Sequence, residues 1–307
     1  MLAPASLLLG IYMTDFGAKT LFNAARRYCI DTSPGPDRVA ERSMPEAQVH
    51  EVWAANSMLS AILNEIERAI LERFHTVEQM REYLLAAGLK AKVISGEETS
   101  HQNGELIVLI HEPRWDEDER AAAERALSNY LEYIASLSAE EAVKAAPVLY
   151  RHRMSETQRR SVRKKLAKRW DVAPRSHTWF PLRGEPLPPD VLALQDAWFD
   201  NEVGAEKLRE ILLAHGITRI WEIHESLLGP EYEFDPRLCN FWGVETYWSS
   251  QELTWMVYKS HESSITFAGY WLINAIQKAW PNWEQRIYTG YDYEKPTDAI
   301  RVPFINP

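Results

Sequence analysis

The sequence predicts an α+β protein built as two helix-plus-antiparallel-sheet units, joined by a basic helix and a Pro-rich connector. Three observations carry this expectation. Long stretches repeat apolar residues at helical spacing, short runs rich in Val, Ile, Tyr and Trp follow them between turn residues, and a stretch starting at Glu78 recurs at Glu206. A chain of 307 residues, 46% of them apolar, is long enough for two cores. The expected boundaries are 1–147 for the first unit, 148–189 for the connector and 190–307 for the second, Trp-rich unit.

The first helix is expected from about Ala5 to Tyr28, stopped by the Pro- and Gly-bearing stretch after it. EAQVHEVWAANSMLSAILNEIERAILERF follows as a long amphipathic helix, with Val52, Leu59, Ile62, Leu63, Ile66 and Ile70 on one face. TVEQMREYLLAAG reads as a third helix, ended by Gly88. LKAKVIS is expected as a strand, GEETSHQNG as a turn and ELIVLIHE as the pairing strand. The next helix opens with Asp116, Glu117, Asp118 and Glu119, charges that suit the positive end of a helix dipole.

In the second half, Asp190 is expected to cap a short helix over VLALQDAWF. EKLREILLAHGI then repeats EQMREYLLAAGL at seven of twelve positions, which reflects either a duplication or the few residue types that helices draw on. TRIWEIHE, YEF, VETYWS and TWMVYKS are four strands of an antiparallel sheet, and SSITFAGYWLINAIQKAW is a helix to cover it, capped by Ser263 or Ser264. Trp53 and Trp115 lie in the first half and the other ten tryptophans between Trp170 and Trp283. That density predicts core anchors with paired N–H groups, or a recognition surface.

Formal charge is -10, and no window offers the 18 or so uninterrupted apolar residues of a membrane span, so a membrane role and bulk nucleic-acid binding are disfavoured. The apolar opening MLAPASLLLGIYM has no basic residue before it, the first being Lys19, and a cytoplasmic location is expected. Cys29 and Cys239 form no CxxC pair, which predicts reduced thiols and no thiolate metal site. No cofactor is expected.

Two candidate sites stand out. His224 with Glu225, and His261 with Glu262, each close a strand of the second unit, so four polar side chains can meet at one sheet edge. Paired His and carboxylate side chains can bind a metal or transfer protons, yet HESLL and HESSI lack the second His of a zinc-hydrolase helix. Strand ends and helix caps explain the same residues equally well. The other site is RHRMSETQRRSVRKKLAKRW, where nine Lys or Arg face a single Glu between Arg151 and Arg169, leaving -18 on the rest of the chain. Its apolar residues Met154, Val162, Leu166 and Trp170 form a narrow seam, as a connector helix needs, its cations pairing with the acidic surface of the other unit. Arg159, Arg160, Arg163 and Lys164 would alternatively bind phosphates of a small RNA or another anion.

The stretch TWMVYKSHESSITFAGYWL resembles the ends of uncharacterised bacterial proteins of toxin-immunity type, encoded beside secreted toxins. The resemblance covers the C-terminal quarter and carries no functional residue over. It implies an acidic, cytosolic, cofactor-free protein that neutralises a basic toxin or effector by occlusion. The competing expectation is a hydrolase or nucleic-acid-processing enzyme that uses His224, Glu225, His261 and Glu262.

Overall fold

The computed structural model describes residues 6–33, 44–93, 96–102, 105–170, 187–225, 230–243 and 245–290. The chain divides into two compact units, Met1–Val148 and Leu149–Pro307, and its class is α+β. Most of the Pro-rich stretch, with Trp179 and Phe180, lies outside the described residues.

The first unit contains α1 (Ser6–Thr32), α2 (Glu46–Ile66), α3 (Val77–Lys90), β1 (Gly96–Gln102), β2 (Glu105–His111), α4 (Glu117–Ser136) and α5 (Ala139–Val143). Leu21 and Ala25 of α1, Ile62 and Ile66 of α2, Met80 and Leu84 of α3, and Tyr130 and Ile134 of α4 meet in one core. Helix α4 starts where its acids predict it, because Asp116 accepts from the Glu119 N–H while the Glu119 carboxylate accepts from the Asp116 N–H. Three helix ends differ from expectation, the first being that α1 runs one turn past Tyr28 to Thr32. Helix α2 stops at Ile66, and only a short turn at Leu71–Arg73 follows. Gly88 lies inside α3 and does not end it; a Cβ there would stand 2.8 Å from Tyr130 Cε1, so this glycine admits the close approach of α4.

The hairpin differs in register. GEETSHQ, expected as a turn, is β1, while the described part of LKAKVIS is not a strand: α3 runs on to Lys90 and Ala91–Val93 is irregular, and Ile94 and Ser95 lie outside the described residues. Pairing runs from Gly96↔His111 to Gln102↔Glu105. In sequence only Asn103 and Gly104 stand between the partners, the dipeptide that favours two-residue hairpin loops.

The second unit contains β3 (Arg151–Arg153), α6 (Glu156–Trp170), β4 (Val191–Gln195), α7 (Asp196–Glu202), α8 (Gly204–Ala214), β5 (Ile220–His224), β6 (Tyr232–Phe234), β7 (Thr246–Ser249), β8 (Met256–Lys259), β9 (Ser264–Ala268) and α9 (Tyr270–Ala279). Its seven strands are antiparallel in the order β3-β6-β5-β7-β8-β9-β4. Alternation along each strand sends side chains to two faces. Ile220, Trp248, Val257, Ile265 and Phe267 pack against Phe199 of α7, Leu208 and Leu212 of α8, and Leu272 and Ile276 of α9. Trp221, Ile223, Tyr247, Met256 and Tyr258 pack on the other face with Val162, Leu166 and Trp170 of α6. The basic helix is therefore a layer of the second unit, seated on its sheet by the seam the sequence shows.

Two expected helices begin as strands. VLALQ and SITFA pair with each other as β4 and β9, and the helices start at Asp196 and Tyr270. A five-residue segment is too short to declare its period against a longer helical pattern beside it; here β9 lies between β8 and β4, and β4 is the edge strand, bridged at Leu194 to Ile287. The turn from β9 into α9 is made by Gly269 at φ 93°, where a Cβ would meet the Thr254 carbonyl at 2.1 Å. The shared plan of the two halves is not repeated in the fold: His111 ends a strand ahead of a helix, whereas His261 lies in a loop between two strands. Several tryptophans are core anchors with paired N–H groups. Trp248 donates to Glu222 at 2.9 Å and Trp255 to Ser250 at 2.8 Å, both buried.

Candidate functional site

The two His-Glu pairs come to the same end of the sheet, where Glu225 and Glu262 both act on Tyr258 while His224 turns to the opposite face. Strand alternation separates His224 from Glu225. The His224 ring lies 3.2 Å from the Thr246 hydroxyl on β7, while Glu225 accepts a 2.7 Å hydrogen bond from Tyr258, whose ring belongs to the face under α6. The Glu225 N–H donates to the Glu245 carbonyl at 2.6 Å, which extends the β5–β7 pairing past His224.

His261, Glu262 and Ser263 form the loop between β8 and β9. The Ser260 N–H donates to the Ser264 carbonyl at 3.0 Å, and Ser263 closes the loop at φ 63°. This is the geometry of a three-residue hairpin ending in a left-handed residue. The N-cap role expected of Ser263 or Ser264 is thus not taken; Gly269 holds that position at α9. The imidazole of His261 stands between two carboxylates, with Nδ1 2.5 Å from Glu245 and Nε2 3.0 Å from Glu262, and its side chain is 61% exposed. A protonated ring donates to both at once and ties this loop to the residue before β7. Glu262 is buried, and its second oxygen has no hydrogen-bond partner among the described residues. The Tyr288 hydroxyl donates to its backbone carbonyl at 2.7 Å.

Beneath the loop, the rings of Tyr247 and Tyr258 stack at 4.4 Å. Burial, the neighbouring Tyr247, and the carboxylates of Glu225 and Glu262 push the Tyr258 phenol far above its ordinary range; burial first and Glu225 second do the same to Tyr247. Both phenols stay neutral, and Tyr258 serves as a donor that holds Glu225.

The basic helix splits its cations between two tasks. Arg159 and Arg163 turn inward to Glu231, which is fully buried: Arg159 Nε donates to it at 3.0 Å, and Arg163 Nη2 donates both to Glu231 and, at 2.7 Å, to the His224 carbonyl. These two cations are thus paired within their own unit. Arg160 pairs with Glu156 at 2.9 Å and faces solvent, as does Lys164. Four cations in one sequence stretch therefore do not make one anion patch. Two of them fix the helix to the strand pair.

Among the described residues no group of three or more His, Cys, Asp or Glu is placed to hold a metal ion, and no helix is long and apolar enough to cross a membrane. Comparison with known proteins finds no match: no family, no curated protein and no solved structure is similar to the chain. The local chemistry is that of a pinned loop with carboxylates on an exposed imidazole. Sequence reasoning missed Glu231, Glu245 and Tyr258. Alternation along TWMVYKS was enough to place Tyr258 beside Met256 on one face; nothing in GPEYEF singles out Glu231.

Proposed function

We propose that the chain is an acidic binding protein that occludes a basic partner, most concretely an inhibitor of toxin-immunity type. The observation that carries this reading is where the charge lies. Residues 1–148 hold 14 Lys and Arg against 23 Asp and Glu, whereas the remaining residues are nearly balanced at 20 against 21. A field of one sign on a helical unit attracts an oppositely charged protein and orients its approach. Exposed aromatic side chains, Trp53 at 54% and Trp242 at 50%, are the kind of anchor that such interfaces desolvate. The resemblance of the C-terminal stretch to immunity-type proteins points the same way.

The competing reading as a hydrolase requires His224 and His261 to share a pocket. His224 is engaged with Thr246, and His261 with Glu245 and Glu262, so no observation favours it.

The test is co-expression with the product of the adjacent gene. A complex that survives gel filtration, weakens as salt rises and relieves that product's toxicity supports the proposal. Free mobility of both proteins with toxicity intact removes it.

A further inference from the structure

A groove of about 330 Å³ opens between α1, α2 and α4 in the first unit. Helix α2 presents Gln48, Val52, Ala55 and Leu59 to it, at steps of four, three and four residues. Helix α4 presents Ala122, Ala126 and Asn129 at steps of four and three. These are the spacings of a helix seam, and three alanines in it leave a hollow where larger side chains would fill the space. Tyr28 and Thr32 at the end of α1 form the third wall. The groove thus has an apolar floor, polar margins and the periodicity of two helices that receive a third.

Charge selects the occupant. The groove's own charges, Glu51 and Arg125, balance each other, and the acidic field comes from the unit around it: 14 Lys and Arg against 23 Asp and Glu over residues 1–148, with Glu117, Asp118, Glu119, Glu124 and Glu132 against Arg120 and Arg125 on α4. Across the groove Arg125 reaches Glu51 of α2 at 3.1 Å, and both side chains are exposed enough for an incoming cation to take the place of Arg125. We infer that this groove is the docking site for an amphipathic helix of the partner, one that lays an apolar face on Val52, Ala55, Leu59, Ala122 and Ala126 and carries Lys or Arg along its flanks. The inference rests on the basic-partner reading above and assigns it a place and a ligand chemistry.

The experiment uses the full chain and a synthetic 16-residue helix-forming peptide, with Leu at helical a and d positions and Lys or Arg elsewhere. A twin with Glu for each cation is the control. Titration near 0.15 M salt is expected to show binding of the basic peptide, at least roughly tenfold tighter than its twin. Ala126→Phe, which fills the groove, and Glu51→Arg, which reverses a half-exposed charge at its margin and breaks the pair with Arg125, should each weaken binding by about tenfold or more. Thermal melts show that each variant is folded, and Glu51→Arg decides alone if Ala126→Phe is not. Basic-peptide binding that both variants leave unchanged overturns the groove while leaving the basic-partner reading intact. No binding at millimolar peptide also overturns it, and toxin protection in the co-expression test then decides the wider reading separately. A chain that is dimeric in sedimentation and becomes monomeric on Ala126→Phe would show that a second copy occupies the groove, and would overturn the assignment too.

Discussion

Substituting Glu231→Gln tests whether the basic helix is architecture. Glu231 is fully buried, and its two partners Arg159 and Arg163 keep 20% and 16% of their side-chain surface exposed. Removing one member of a buried charge pair costs about 3–5 kcal/mol, because the remaining charge is left uncompensated. That residual exposure of the arginine side chains lowers the expected loss to about 2–3 kcal/mol. The same reasoning makes the loss strongly non-additive. Arg159→Met, Arg163→Met and Glu231→Leu together remove the triad's charges and their desolvation cost at the loss of the Arg163 hydrogen bond to the His224 carbonyl, so the triple variant should fall within about 2 kcal/mol of the parent. Urea unfolding followed by tryptophan fluorescence measures both. If Glu231→Gln leaves the midpoint unchanged, the triad does not hold α6 to the sheet. If the triple variant loses about the sum of its singles, the reasoning about desolvation fails.

Gly88→Ala reverses the usual sign for an interior helical glycine: the normal gain of about 1 kcal/mol becomes a loss of about 1–3 kcal/mol, since the new methyl meets Tyr130 and Leu131. A raised melting temperature would refute the close packing of α3 on α4. Gly269→Ala combines a φ of 93° with a backbone oxygen 2.1 Å from the new atom, and should cost at least about 3 kcal/mol, read as lost soluble yield or a collapsed urea midpoint. Burial raises the phenols of Tyr247 and Tyr258 above their unfolded value of about 10, so their contribution to stability is complete below that pH and is lost as pH rises beyond it. Absorbance at high pH should show these rings ionising together with unfolding; smooth titration in a folded protein would contradict their placement. Burial pushes the Cys29 thiol up to about 12 and raises Cys239 as well. A thiol reagent near pH 8 should therefore label neither until denaturant is added, and prompt labelling of either would place it at the surface.

Periodic and capped elements were legible one by one. The seam of α2, the acidic opening of α4 and the strands over TRIWEIHE, YEF, VETYWS and TWMVYKS each carry their signal within a dozen residues. The seam Met154, Val162, Leu166 and Trp170 likewise foretold which side of α6 is buried. VLALQ was not legible as a strand, because a short apolar run reads alike as a buried strand or as one turn and more of buried helix, while the Ser264-Ile265-Thr266-Phe267 alternation of SITFA was a strand signal masked by the helical pattern that follows it. Their pairing partner, which decides, lies some 70 residues away in the chain. Gly88 misled for a related reason: a glycine near the end of a helical pattern signals a stop or a close contact, and only Tyr130 from α4 distinguishes the two.

The same division runs through the candidate site. The chain alone determined that His224, Glu225, His261 and Glu262 would sit at strand ends of one sheet, and that the overall charge is negative. Tertiary structure decided the rest: that His224 and Glu225 point to opposite faces, that His261 is held between Glu245 and Glu262, and that Arg159 and Arg163 turn inward to Glu231. Local spacing fixes where along an element a side chain stands. Which group it meets depends on register and burial, which are settled by contacts between segments distant in sequence.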